Sequence, residues 1–314
     1  MFLGVDIGGT KCAITLGDKN GNIISKERFL TTTVEETINN IISSAKKLAE
    51  NQNVLSCGVS CGGPLDEEKG IIMSPPNLVG WDNIHIKEIL EKELGIPCAV
   101  RNDANACAMA EWYFGAGMGT KNMIFMTFGT GLGAGLILNG KLYSGTNGNA
   151  GEVGHIRLGA FGPSGFGKCG SFEGFCSGSG IKELGRSLAR EAIQRGETVL
   201  WAENGIDNIE VADIADAARK GDEIALEVFN ISATKLGEGL SILIDILNPE
   251  KIIIGSVFAR CHDLFAPIID KIINKEALGI SAKVCEVFPA ALGEKIGDMA
   301  ALAVAREVYD ELHN

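Results

Sequence analysis

Short apolar runs broken by glycine and asparagine turns open the chain. Phe2-Leu3-Gly4-Val5 reads as a strand that stops at Asp6-Ile7-Gly8-Gly9-Thr10-Lys11, and Cys12 to Leu16 follows at once as a second strand. A turn over Asp18 to Asn22 leads to a third strand, Ile23 to Leu30. Between Val34 and Asn51 the spacing changes to that of a helix, with Ile38, Ile41, Ile42, Ala45 and Leu48 on one face and Thr33 as cap. Leu55 to Ser60 is the next strand, followed by a breaker-rich loop over Cys61 to Asp66, a helix from Ile86 to Leu94, a strand from Pro97 to Arg101 and a helix from Ala104 to Trp112.

Gly115 to Gly119 reads as a flexible hinge because glycine dominates it. Beyond it the opening pattern returns. Met123 to Met126 and Leu132 to Leu138 flank the turn Thr127-Phe128-Gly129-Thr130-Gly131, and Asn139-Gly140 leads to a strand over Lys141 to Tyr143. A repeated strand, Gly/Thr turn and strand suggests an internal duplication, with two lobes facing each other across a cleft. Ser144 to Gly180 reads as a long loop of the kind that binds a ligand. The rest is mostly helical, over 181–195, 211–220, 222–247, 264–276 and 297–312, with strands at 251–254 and 284–289. The expected division is 1–117 plus 297–314 for one lobe and 118–296 for the other.

Length and charge narrow the partners. At 314 residues the chain exceeds a typical single core. Its net charge of -12 disfavours a nucleic-acid or anionic-membrane surface, which needs clustered Lys and Arg. Nine cysteines without a regular framework, and no secretory apolar segment ahead of Gly4, read as reduced thiols in a cytoplasm.

The chemistry concentrates at three places. Asn102-Asp103 ends an apolar run where a helix begins, so Asp103 is either a helix cap or a carboxylate placed to accept a proton. The turns at 8–11 and 127–131 could present backbone N–H groups to phosphate oxygens, with Thr10, Thr127 and Thr130 adding hydroxyls. Neither turn is a Walker loop and neither has dinucleotide glycine spacing.

Asp6-Ile7-Gly8-Gly9-Thr10-Lys11, Asn102-Asp103-Ala104-Asn105-Ala106, Thr127-Phe128-Gly129-Thr130-Gly131-Leu132-Gly133 and Ala150-Gly151-Glu152-Val153-Gly154-His155 together resemble the ROK family of sugar kinases and repressors. The resemblance runs from the first strand to the last helix. It implies an α/β, two-lobed actin/hexokinase/Hsp70-like (ribonuclease H-like) ATPase fold with a central cleft, and a cytoplasmic, glucokinase-like enzyme that uses ATP and Mg²⁺ to phosphorylate a hexose or amino sugar at the 6-hydroxyl. Asp103 then matches the catalytic base. Asn102, Glu152, His155 and Glu173 match the residues that hold sugar hydroxyls, beside Asp103 itself, and Asn77 with Trp81 resembles the sugar-side loop. Asp6 matches a carboxylate near Mg²⁺, Gly8, Gly9, Thr10 and Lys11 one phosphate turn, and Thr127, Gly129, Thr130 and Gly131 the other. Gly255 stands in the family's adenosine-side Gly-Gly, here Gly255-Ser256.

One departure stands out: Ser164, Phe166 and Ser171 occupy the positions of three zinc-binding cysteines, so no structural zinc is expected. The His155 ring then depends on hydrogen bonds or is purely structural, and Phe166, Phe172 and Phe175 become candidate anchors for the loop. Glu294 and Asp298 read as caps or surface groups of the last helix. A homodimer is the family expectation, and no helix-turn-helix segment is expected ahead of Asp6. The rival reading is a sugar-responsive sensor or regulator that binds without turnover.

Overall fold

A computed structural model describes residues 1–313. In chain order the elements are β1 (Phe2–Ile7), β2 (Lys11–Gly17), β3 (Ile23–Leu30), α1 (Val34–Ala49), β4 (Ser56–Cys61), β5 (Leu65–Asp66), β6 (Ile71–Ile72), α2 (Ile86–Leu94), β7 (Cys98–Asn102) and α3 (Asp103–Phe114). Then come β8 (Met123–Met126), β9 (Ala134–Leu138), β10 (Lys141–Leu142), β11 (Ser164–Gly165), β12 (Lys168–Cys169), α4 (Phe172–Phe175), α5 (Gly178–Gln194), α6 (Val211–Arg219) and α7 (Glu223–Leu247). The chain closes with β13 (Lys251–Ile254), α8 (Ser256–Arg260), α9 (His262–Glu276), α10 (Gly279–Ala282), β14 (Glu286–Pro289) and α11 (Ile296–His313). Among the described residues no helix is long and apolar enough to cross a membrane.

Two compact units emerge. Unit 1 comprises Met1–Lys121, Gly135–Ala150 and Ala291–Asn314, and unit 2 comprises Asn122–Ala134 and Gly151–Ala290. The division runs through β9, so 135–150 belong with unit 1, whereas the expected second lobe held all of 118–296.

Unit 1 is built on a sheet of order β3-β2-β1-β4-β7. The hairpin glycines set β1 against β2 antiparallel, while β4 and β7 run parallel to β1. Leu3, Val5, Ile14, Ile41, Val59, Trp81 and Val100 form its core, which settles Trp81 as a packing residue. Thr33 caps α1 by accepting from the Glu36 amide at 3.3 Å. On the other face α11 comes close to the strands where Gly4 and Gly58 face Ala301 and Ala305, while Phe2 packs on Leu302 beside them. A Cβ at Gly58 would stand 2.2 Å from the Ala305 nitrogen, and one at Gly135 would stand 2.5 Å from the Ala108 Cβ on α3.

In unit 2, β13 runs parallel to β8 and β14 parallel to β13. This repeats the relation of β1, β4 and β7, as β9 with β10 repeats β2 with β3. Phe265 of α9 gathers Phe128, Phe229 and Phe258 at centroid distances of 5.4–5.8 Å in the core beneath these strands. Asp222 caps the long α7 through the Ala225 amide, and Asn248 closes it in the left-handed region ahead of Pro249.

Two expectations are corrected here. The segment Gly115 to Gly119 is fastened rather than loose: the fully buried Glu111 accepts from the Ala116 amide at 2.8 Å and, through its other oxygen, from the Leu292 amide at 2.9 Å. The Glu111 carbonyl takes the Gly115 and Gly117 amides as well. Glycine serves close approach at Gly115, where a Cβ would stand 2.1 Å from the Glu111 carboxylate. Ser144 to Gly180 is likewise more ordered than a loop. It folds into the β11–β12 hairpin, turned by Phe166 and Gly167 at positive φ, then into α4 and the start of α5, where Ser177 caps through the Gly180 amide.

Replacing Glu111 with Ala removes a buried acceptor from two amides, each worth about 1–3 kcal/mol. E111A is expected to lower the urea midpoint markedly, with E111Q intermediate because its amide keeps one acceptor oxygen. Equal midpoints for E111A and the unmodified protein would contradict this account.

Candidate active site

The parallel strands of unit 1 end together, which is where open α/β sheets present their ligand-binding groups. Asp6 lies in register with Ser60, and Cys61 in register with Asn102, so the chain beyond these points delivers Gly8-Gly9, Gly62-Gly63 and Asp103 to one edge. Asp6, Gly8, Gly9, Gly62, Gly63, Asn77 and Asp103 line a cavity of about 170 Å³. A Cβ at Gly9 would stand 2.3 Å from the Asn77 carbonyl oxygen, so the phosphate turn and the Asn77 loop pack backbone to backbone. Thr10 and Lys11 are exposed at the rim of the hairpin, whose turn closes through Gly8 N–H to the Lys11 carbonyl at 3.1 Å.

Asn102, rather than Asp103, is the cap of α3, its Oδ1 accepting from the Ala104 amide at 2.9 Å. Asp103 is the first helical residue, and its Oδ1 shares the same amide at 2.8 Å. The solvent-accessible Asp103 carboxylate nevertheless sits on a concave floor, and that crowding by protein raises its pKa; the Ala104 amide opposes the shift. Asp6 is pushed up to about 6, first by burial and then by the Asp298 and Asp103 carboxylates, with Lys26 and Arg28 acting the other way.

Asp298 corrects the surface reading of the last helix. It is buried and ion-paired with Lys26, with Arg28 at 3.7 Å, and nothing local in the sequence signals this because Lys26 lies 272 residues away. Burial first, and then two neighbouring carboxylates, disfavour the charge on Asp6, and a divalent cation beside it would offset both. No group of three or more His, Cys, Asp or Glu at metal-holding geometry occurs among the described residues; Asp6, lining the cavity beside the Gly8-Gly9 turn, is the residue that would stand beside a Mg²⁺ carried by phosphate and water.

In unit 2 the strand ends after β8 and β13 deliver the second turn. Gly129, Thr130, Gly178, Ser179, Lys182, Ser256 and Arg260 lie along a cleft of about 550 Å³. The Thr127 hydroxyl is engaged within its own loop, accepting from the Gly133 amide at 2.9 Å, so it braces the turn. Gly131 faces Glu173: a Cβ there would stand 2.7 Å from its Oε2, which accepts from the Leu132 amide at 2.9 Å. At the position expected for Gly255, the left-handed φ of +56° belongs to Ser256, and Ser256 lines the cleft in its place. A non-glycine residue there costs on the order of 1–2 kcal/mol, which accounts for a glycine preference at that position. The cations Lys182, Arg219 and Arg260 along the cleft carry no local motif and escape a reading of the sequence.

Glu152 and His155 are exposed at either end of a single 3-10 turn. The His155 ring meets Phe166 edge to face at 5.4 Å. Phe172 and Phe175 anchor this region in the core as expected, but Phe166 is exposed and does not. Its place is taken by Ser171, at one of the family's cysteine positions, whose Oγ accepts from the Gly174 amide at 3.0 Å and the Gly165 amide at 3.2 Å. Cys176 is buried on the Ser232 carbonyl, whereas Cys169 is exposed on that of Gly162.

The chain is similar to known proteins over nearly its whole length. A glucokinase of Streptomyces coelicolor is 35% identical over 98% of both chains. The structure of a ROK family glucokinase from Streptomyces griseus, in complex with glucose and AMPPNP, is 32% identical, covers 98% of this chain and 99% of that one, and has a TM-score of 0.76. A ROK family transcriptional regulator, a homologue of the E. coli MLC protein, is 26% identical with a TM-score of 0.86, covering 99% of this chain and 79% of that one. The fold is thus the mixed α/β, actin-like ATPase fold of the ROK hexokinases. With the ROK family model matching residues 2–308, the chain belongs to the ROK family.

Proposed function

We propose a hexose or amino sugar as the acceptor, and its 6-hydroxyl as the nucleophile, for this ATP-dependent sugar kinase of the ROK family. The observation that carries the reading is Asp103: a carboxylate locked to a helix N-terminal amide, within one cavity with Asn77 and the Gly8-Gly9 turn. Fixing Oδ1 orients the group, and a raised pKa makes it a better proton acceptor in its ionised form. Asn77 and Asn102 supply amide donors and acceptors of the kind a polyol needs, and Glu152, His155 and Glu173 are assigned to further hydroxyls by the family pattern. Asn102 and Glu173 each also serve the scaffold, through the Ala104 and Leu132 amides.

For the nucleotide, Gly8, Gly9, Thr10 and Lys11 in unit 1 and Thr127, Gly129, Thr130, Gly131 and Gly255 in unit 2 are the proposed contacts, with Ser256 added. Mg²⁺, when bound, neutralises charge on the transferring phosphoryl group. Asp6 orients it and Asp103 takes the hydroxyl proton. Catalysis of this kind rests on positioning, which is what a base fixed on a buried helix provides.

The similarity to a regulator supports a second reading, binding of sugar without turnover. Release of ADP over a panel of hexoses and N-acetylhexosamines separates the two, and absence of ADP with every sugar would favour the regulator. Within the kinase reading, D103N is expected to lower kcat by about two to four orders of magnitude while leaving sugar and ATP binding within a few-fold. Preserved turnover in that variant would remove Asp103 as the base.

The pH dependence follows from Asp6. Its pKa is raised in the folded protein, so the stabilising contribution is present below the ordinary carboxylate value of 3.8 and lost as pH rises through about 6. A cation that binds the ionised form reverses this, so Mg²⁺ is expected to raise Tm more at pH 7.5 than at pH 5. The acidic limb of kcat/KM, near pH 6, is expected to move to lower pH as Mg²⁺ increases; a limb indifferent to Mg²⁺ would detach Asp6 from the metal.

A further inference from the structure

Glu67 stands outside the cavity that Asp103 lines, yet it holds the backbone on which Asp103 is mounted. It follows β5, and its Oε1 accepts from the Asn102 amide at 2.7 Å and from the Asn105 side-chain Nδ2 at 3.0 Å. Asn105 is only 2% exposed. One charged oxygen therefore bonds the residue before Asp103 and the residue two after it. β7 is the edge of its sheet, so no further strand is there to order its last residue, and Glu67 stands in for one. Hydrogen bonds to a carboxylate are short and strong, which suits a fixed point.

The other oxygen, Oε2, lies 3.4 Å from the Ser144 hydroxyl, and Glu67 lines a separate cavity of about 430 Å³ with Arg101, Ser144 and Thr146. Arg101 in turn is held by Glu307 at 2.8 Å.

We propose that Glu67 is a positioning residue for phosphoryl transfer, fixing the β7–α3 junction so that the Asp103 carboxylate keeps its direction. This rests on the kinase reading above. The role is carried by the acceptor oxygen, so a glutamine at 67 can fill it and an alanine cannot. A shift of about 1 Å at a reacting group can cost about 100-fold in rate.

The test compares E67A, E67Q and E67D with the unmodified protein. E67A is expected to lose about 10- to 100-fold in kcat while KM for sugar and for ATP stays within about threefold, E67Q to keep most of kcat, and E67D, with its carboxylate withdrawn, to fall between them. Deuterium uptake at the Asn102 and Ala104 amides is expected to rise in E67A. E67D and E67Q carry the comparison if E67A does not fold. A kcat within twofold of the unmodified value in E67A, a rise in KM at constant kcat, or E67Q as impaired as E67A would each overturn the proposal. If the unmodified protein yields no ADP with any sugar, the kinase reading fails by itself. Amide exchange then still decides the role of Glu67, and unchanged uptake in E67A overturns it.

Discussion

The closeness with which backbones pass α3 is the constraint on which unit 1 depends. α3 is rich in alanine and is buried over most of its length, so it has no solvent face to lean on. Gly135 on β9 meets it at Ala108 and at the Ala104 carbonyl oxygen, and α11 packs beside it and onto Gly4 and Gly58 of the sheet. Side chains at those glycines would push whole elements apart, because protein interiors pack too densely to absorb them. This packing sets the axis of α3, and Glu67 fastens its first turn to the end of β7.

Much of this was readable along the chain. The alternation around the first hairpin, the helical spacing of α1 and the repeat of strand, turn and strand are local patterns, and β1–β3 and β8–β10 follow them. What stayed hidden depends on partners distant in sequence. Glu111 resembles any helical glutamate until Leu292 is seen to donate to it, and Asp298 resembles a surface residue until Lys26 reaches it. Glycine at 115 suggests freedom until Glu111 is seen to leave no room for a side chain there, whereas Gly119 answers to its positive φ. The cap of α3 is open in the sequence for a different reason: Asn102 and Asp103 are both good caps, and only geometry shows that they share one amide.

The two turns achieve order by different means. The first leans on a neighbour, with Gly9 against Asn77 and the Thr31 hydroxyl donating to the Gly8 carbonyl at 2.6 Å. The second is braced from within and behind, by Thr127 on Gly133 and by Glu173 on Leu132. The region that follows, where cysteines would be expected from the family pattern, is organised by a serine hydroxyl, a hairpin and two buried phenylalanines. Glu173, proposed to meet the sugar, thus has a scaffold duty on the Leu132 amide as well, which a motif cannot reveal.

Asp298 and Asp103 both press on Asp6 in a partly desolvated corner, with Lys26 and Arg28 acting against them. Natural chains retain such tension where selection acts on turnover rather than on robustness. An effort to harden this protein by removing unfavourable charges would choose Asp6 early. It would yield a sturdier molecule that no longer carries the charge proposed to stand beside a cation.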